Sequence, residues 1–221
     1  MGFSLTLLLK PEKFPIQSEG STLISSQLLK DGLSLLRHNA TLQILTVLSV
    51  LTVAFWDYLI NLYPPHFQQI GIPDSLLGPI LAVASLAALV SSFIVHPLER
   101  KIGPKASLLL ATLGPGLVYL MLFSLRTPIF GALGLILFRG LDALKAPLFA
   151  EYQNKQISSH NRATVLSIIN MFAGAYTALM GFLIGMVAEG SLIGAFLFMG
   201  CVIVFFTLSI FIMGRKPLTQ N

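Results

Sequence analysis

The stretch PIFGALGLILFRGLDALKAPLFAEY, residues 128–152, decides how this chain is read. A bilayer with a hydrocarbon core of roughly 30 Å needs about 20 helical residues at 1.5 Å each, so the stretch is long enough to cross one. It is mostly apolar, yet Arg139, Asp142 and Lys145 sit near its middle. A charge at that depth costs roughly 2.5–3.5 kcal/mol on insertion scales, and it persists where it faces protein or water rather than lipid. Three charges on one helix therefore point to a polar path through a membrane. Arg139 and Asp142 are three apart, as are Asp142 and Lys145, so either pair can meet on a helix. The plainer alternative is a self-neutralised triad that only lowers insertion cost.

Composition agrees. The 221 residues are 55% hydrophobic and 10% charged, where a soluble domain carries about 25% charged residues. The formal net charge of +5 is spread between apolar runs rather than gathered on one soluble element. That is the pattern of positive-inside topology, and it implies no nucleic-acid partner. Cys201 is the single cysteine, which excludes an intrachain disulfide framework and a cysteine-based metal site. The sequence holds no phosphate-binding loop, His-Glu-x-x-His, metal-ligand cluster or serine elbow, so neither an enzyme nor a cofactor is implied. Any active transport would draw on an ion gradient. The short apolar run 3–9 lacks the basic flank and cleavage site of a signal peptide. The start Met-Gly-Phe-Ser-Leu-Thr matches the myristoylation pattern in form, but a six-span protein needs no lipid anchor.

In chain order, residues 1–40 read as a partial apolar helix, a charged loop over 10–20 and an amphipathic helix over 21–37. The apolar face of that helix carries Leu23, Ile24, Leu28, Leu35 and Leu36; it suits either the membrane surface or a linker. Residues 41–213 form six spans: about 41–63, 76–95, 106–125, 128–152, 163–187 and 192–213. The first is closed by Pro64-Pro65. Ala and Ser in the second allow close helix approach. The third is expected to kink at Gly114-Pro115-Gly116. The fifth carries Gly181 and Gly185 at small-xxx-small spacing. The sixth is the most uniformly apolar and is expected to face lipid. Residues 214–221 are a tail. The fold class is thus all-α, polytopic in a lipid bilayer.

Orientation follows from Lys and Arg. They lie before the first span, between the second and third (Arg100, Lys101, Lys105), between the fourth and fifth (Lys155, Arg162), and after the sixth (Arg215, Lys216). The alternate loops hold only Arg126. Both termini are therefore expected to be cytoplasmic, in a cell membrane.

Four segments carry a family likeness. Leu98-Glu99-Arg100-Lys101-Ile102-Gly103-Pro104-Lys105 is similar to the basic loop between the eighth and ninth helices of the major facilitator superfamily. Arg139-Gly140-Leu141-Asp142 resembles the charged part of its tenth helix. Asn161-Arg162-Ala163-Thr164-Val165-Leu166-Ser167 is similar to the opening of its eleventh. Residues 3–15 resemble the tail of its sixth helix and the central loop. The chain therefore resembles the carboxyl-terminal six-helix half of such a secondary transporter. His96 and Arg100 stand where the full loop motif has a glycine and an aspartate, which departs from the family's charge relay. The resemblance implies two six-helix halves around a midplane site, so the partners expected are a small-molecule substrate, a coupling proton or ion, and a missing amino-terminal half or a second copy. The chain alone is then expected to be inactive. The alternative is a non-transporting integral membrane subunit or truncated gene product that binds a partner half.

The resemblance also implies that the first and fourth spans line the cavity, and the charges independently fall there. The substrate and coupling candidates are Asp57, Asn61, Arg139, Asp142 and Lys145. With Pro64 as the outer end, Asp57 lies about 10 Å below it, and Arg139 about 16 Å below Pro128. An arginine can span that offset, so an Asp57–Arg139 contact is expected. Lys145 is placed to snorkel toward the cytoplasm. Glu99, Arg100 and Arg162 are candidates for a cytoplasmic gate. Trp56, Tyr58 and Tyr63 read as interface anchors, Asn61 and Asn170 as interhelical or cavity-lining polar groups, and His66 and His160 as solvated loop residues. His96 is placed at a helix end, and Cys201 reads as a small apolar group.

Overall fold

A computed structural model describes residues 21–213, with side chains from residue 30 onward. The expected partial helix and loop in residues 1–20, the tail 214–221, and Leu23, Ile24 and Leu28 of the amphipathic face lie outside these. The elements are α1 (Ser21–His38), α2 (Ala40–Leu51), α3 (Val53–Gln69), α4 (Leu77–Ile102), α5 (Pro104–Ser124), α6 (Pro128–Gln156), α7 (Arg162–Gly190) and α8 (Leu192–Met213), with a short 3₁₀ turn, Asp74–Leu76, before α4. No strand occurs among the described residues. The all-α reading holds.

Five segments are long and apolar enough to cross a membrane: Ala40–Gln69, Asp74–Ile102, Pro104–Ser124, Arg162–Gly190 and Leu192–Met213. The helix α6 is 29 residues long, so it matches them in length; Arg139, Asp142 and Lys145 set it apart. Its neighbours account for its position. It packs chiefly against α4 and α5, burying Leu135, Phe138, Leu144 and Leu148.

Helix ends depart from the sequence reading in two places. Pro64-Pro65 does not close the first span, because α3 runs on to Gln69. Each proline removes one helical hydrogen bond and costs on the order of 3 kcal/mol. Phe67, 1% exposed, offsets part of that: burying one such side chain contributes about 1.5–3 kcal/mol. Likewise α4 continues through Pro97 to Ile102, so the stretch read as a basic loop is mostly helix. Gly103 makes the turn alone, at φ 83° and ψ 163°, a conformation only glycine adopts readily. Pro104 then opens α5, where its missing N–H is no loss.

Packing revises three further expectations. The helix α5 runs without interruption through Gly114-Pro115-Gly116. Those glycines serve close approach instead: a Cβ at Gly114 would meet Leu141 Cδ1 at 2.9 Å, and one at Gly116 would meet Ile203 Cγ2 at 2.8 Å. Gly181 and Gly185 do not form one packing face. Tyr58 fills the space over Gly181, while nothing lies within 4 Å of Gly185. Finally, α8 is not the helix most turned to the surroundings. It buries Phe196, Met199 and Ile203 against α5. The least covered spans are α4 and α7, each 11% buried, against 28% for α8.

Candidate functional site

An aromatic core joins α3, α5, α6 and α8 and fixes the site. Tyr119 donates its hydroxyl to the carbonyl of Phe55 and meets Phe138 edge-on at 5.0 Å. Phe138 in turn stacks on Trp56 at 5.8 Å, with 19° between the rings. The next residue along α6 is Arg139, whose guanidinium lies 4.2 Å from the Trp56 ring centre. Both Trp56 and Arg139 are half-buried. A guanidinium over an indole gains about 0.5–2 kcal/mol, more as water is excluded.

The expected Asp57–Arg139 contact is absent: Arg139 makes no ion pair with any described carboxylate. The depths themselves match. With α3 ending at Gln69, Asp57 lies about 18 Å from that end and Arg139 about 16 Å from Pro128. One residue along a helix is a rotation of about 100°, so when Trp56 meets Arg139, Asp57 turns aside. Asp57 is exposed. Asn61, also exposed, donates to the carbonyl of Asp57 at 3.0 Å.

Lys145 does not snorkel. Its Nζ turns back along α6 to Asp142 Oδ1 at 3.2 Å, and the two side chains are only 12% and 17% exposed. Of the two pairings open to Asp142, the one with Lys145 is made. Lys145 also lines a cavity of about 200 Å³ between α2, α6 and α7, together with Ser49, Gln153, Asn154 and Asn170. Gln153 donates to Ser49 Oγ at 3.1 Å, tying α6 to α2. A larger cavity of about 650 Å³ lies among α2, α7 and α8, but its lining is almost wholly apolar and holds no charged residue. Its polar side chains are Gln43, Thr46 and Tyr176.

At the far end of α4 and α6 the sequence reading missed a cluster. Tyr152 donates its hydroxyl to Glu99, while His96 lies 3.9 Å from Glu99 and 3.7 Å from Glu151. Oxygens of both glutamates and a ring nitrogen of His96 lie within 4.8 Å of one another, a grouping of the kind that metal ions use. The absence of a metal-ligand motif in the sequence did not anticipate it, since the three residues come from two helices far apart in the chain. His96 is exposed and the two glutamates are half-buried, and Lys155 holds Glu151 at 2.6 Å, so the present arrangement is an interhelical ion network. Of the gate candidates, Glu99 belongs to it; Arg100 and Arg162 are exposed and pair with no described carboxylate.

His66 is corrected. It is buried within α3, its ring 4.8 Å edge-on to Phe196, and neither nitrogen has a hydrogen-bond partner among the described residues. Tyr58 donates to the carbonyl of Thr177 at 3.1 Å and so ties α3 to α7. Tyr63 packs on Phe67 at 5.5 Å. His160, Asn170 and Cys201 are exposed.

A bundle of apolar helices around one charged helix, its ionic groups sheltered by neighbours, defines a multi-pass α-helical membrane protein. Residues 2–178 match the Major Facilitator Superfamily. That is most of the chain, which therefore belongs to this family of membrane transporters. Comparison with curated proteins gives no match.

Proposed function

We propose that the chain is one six-helix half of a secondary transporter. It carries a small solute by alternating access, either facilitated or driven by an ion gradient. In this reading α6 is the fourth of six spans, both termini are cytoplasmic in a cell membrane, and α3 and α6 line the solute path. Arg139 contacts the solute. Asp57, with Asn61 beside it, is the coupling carboxylate, and the Asp142–Lys145 pair maintains the polar wall. The observation that carries the reading is Arg139 at mid-helix, held over Trp56 of the neighbouring span. The second half, an amino-terminal partner or a second copy, covers α4 and α7, the two least buried spans. Glu99, with Tyr152 and His96, closes the cytoplasmic side, and Arg100 and Arg162 meet the other half.

The test is solute uptake into liposomes by the chain with and without a six-helix partner half, in wild type and in Asp57→Asn. Uptake that appears only with the partner and falls in Asp57→Asn supports the reading. Equal uptake by the chain alone removes the two-half arrangement.

One observation favours a second reading. Asp142 and Lys145 neutralise each other within one helix, as they would in a non-transporting subunit that only needs a tolerable insertion cost. There, neutralising Arg139 or Asp142 lowers assembly yield and leaves uptake by the assembled complex unchanged.

A further inference from the structure

We infer that the solute is an organic or inorganic oxyanion, seated by a carboxylate or phosphate group on Arg139. The inference rests on the reading of α3 and α6 as the solute path and names the class of solute for that path. Its physical basis is the uneven pairing of three charges on α6. Asp142 is the one acid among them, and Lys145 holds it at 3.2 Å. That leaves Arg139 as the uncompensated cation, with no described carboxylate at ion-pair distance. A bare cation in the interior of a membrane span is costly, and a guanidinium is never relieved by losing its proton. It needs an anion.

The shape of the cation decides which kind. The guanidinium, whose carbon lies 4.2 Å from the indole centre, is a planar fork of N–H donors. That planar fork matches a carboxylate or phosphate through two parallel hydrogen bonds. Trp56 is itself held by Phe138, and Phe138 by Tyr119. The guanidinium is thus positioned before any solute arrives, which reduces the entropy lost on binding.

The same geometry supplies the probe. Trp56 is the single tryptophan of the chain, so its emission reports on the group lying over it. The experiment takes the full 221-residue chain in phosphatidylcholine nanodiscs and follows Trp56 emission. The titrants are benzoate, acetate, succinate and inorganic phosphate, then benzamide, glycerol and choline. A saturable change with at least one oxyanion, absent with the neutral compounds and with choline, is expected. Arg139→Gln weakens it by about tenfold or more, the loss of a charge-assisted hydrogen-bond pair. Arg139→Lys, which keeps the charge but not the fork, falls between. The carboxylates and phosphate separate the two oxyanion sources. The inference is overturned if no oxyanion gives a saturable response, if benzamide or choline gives an equal one, or if a folded Arg139→Gln or Arg139→Lys chain binds as wild type does. Binding and flux fail separately. Oxyanion binding without uptake by the assembled protein overturns the transport reading alone. Uptake of a neutral or cationic solute that ignores Arg139→Gln overturns the oxyanion inference alone.

Discussion

The guanidinium of Arg139 lies over the Trp56 ring, 4.2 Å from its centre, and thereby joins the first apolar span to the charged helix. This contact makes an early prediction independent of any solute. Arg139→Ala removes the cation–π interaction and should shift Trp56 emission while lowering stability by only about 0.5–2 kcal/mol. Emission spectra and thermal unfolding in nanodiscs measure both. An unchanged spectrum in a folded variant would mean that the side chain does not rest on the indole.

Asp142 and Lys145 form a sheltered pair at 3.2 Å, and such pairs respond unevenly to mutation. Asp142→Asn or Lys145→Met alone leaves one charge without its partner, at a cost on the order of 3–5 kcal/mol. The double variant Asp142→Asn/Lys145→Met removes both charges and should regain most of that loss. Thermal unfolding of the four proteins decides the matter. Strictly additive losses would show that the two side chains do not interact.

Gly181 and Gly185 are separated by one helical turn but face different surroundings. A Cβ at Gly181 would overlap the Tyr58 ring and hydroxyl, and one at Gly185 meets nothing within 4 Å. Gly181→Ala should therefore destabilise by about 1–3 kcal/mol through overpacking. Gly185→Ala should be neutral or slightly stabilising in a helix interior. Adding Tyr58→Leu to Gly181→Ala opens space and should recover part of the loss. Equal melting temperatures for the two alanine variants would remove the contact between α3 and α7 at this point.

The helices were legible because apolar runs of about 20 residues bounded by basic or turn residues have few alternatives in a membrane. Their ends were less so. Pro64-Pro65 and Pro97 are local stop signals, but both helices continue through them, with Phe67 buried beyond the first pair and the chain turning only at Gly103. Counting from Gln69 brings both Trp56 and Asp57 near the depth of Arg139, so depth does not choose between them; the rotation of about 100° per residue does. The network of His96, Glu99, Glu151 and Tyr152 carried no such signal, because it exists only where α4 and α6 pack together. Lys145 was misread for a related reason. Its nearest oxygen is three residues back on its own helix, and pairing there competes with reaching for the cytoplasm.

Orientation remains to be tested through the charged helix itself. If α5 spans, the turn at Arg126 and the turn at Gly103 lie on opposite sides of the membrane, one helix length of α5 apart. With about 1.5 Å per residue, the 21 residues of α5 cover roughly 30 Å, enough for the hydrocarbon core. Cysteines at Arg126 and at Lys105 are placed singly in a Cys201→Ser background, which removes the exposed native thiol. A membrane-impermeant maleimide added to intact cells should label the cysteine at Arg126, while the one at Lys105 should react only after the membrane is opened. A third cysteine at His160, beyond the far end of α6, should behave like the one at Lys105. If it is instead labelled from outside, α6 does not cross, and its charges lie in a re-entrant or surface helix rather than along a path through the membrane.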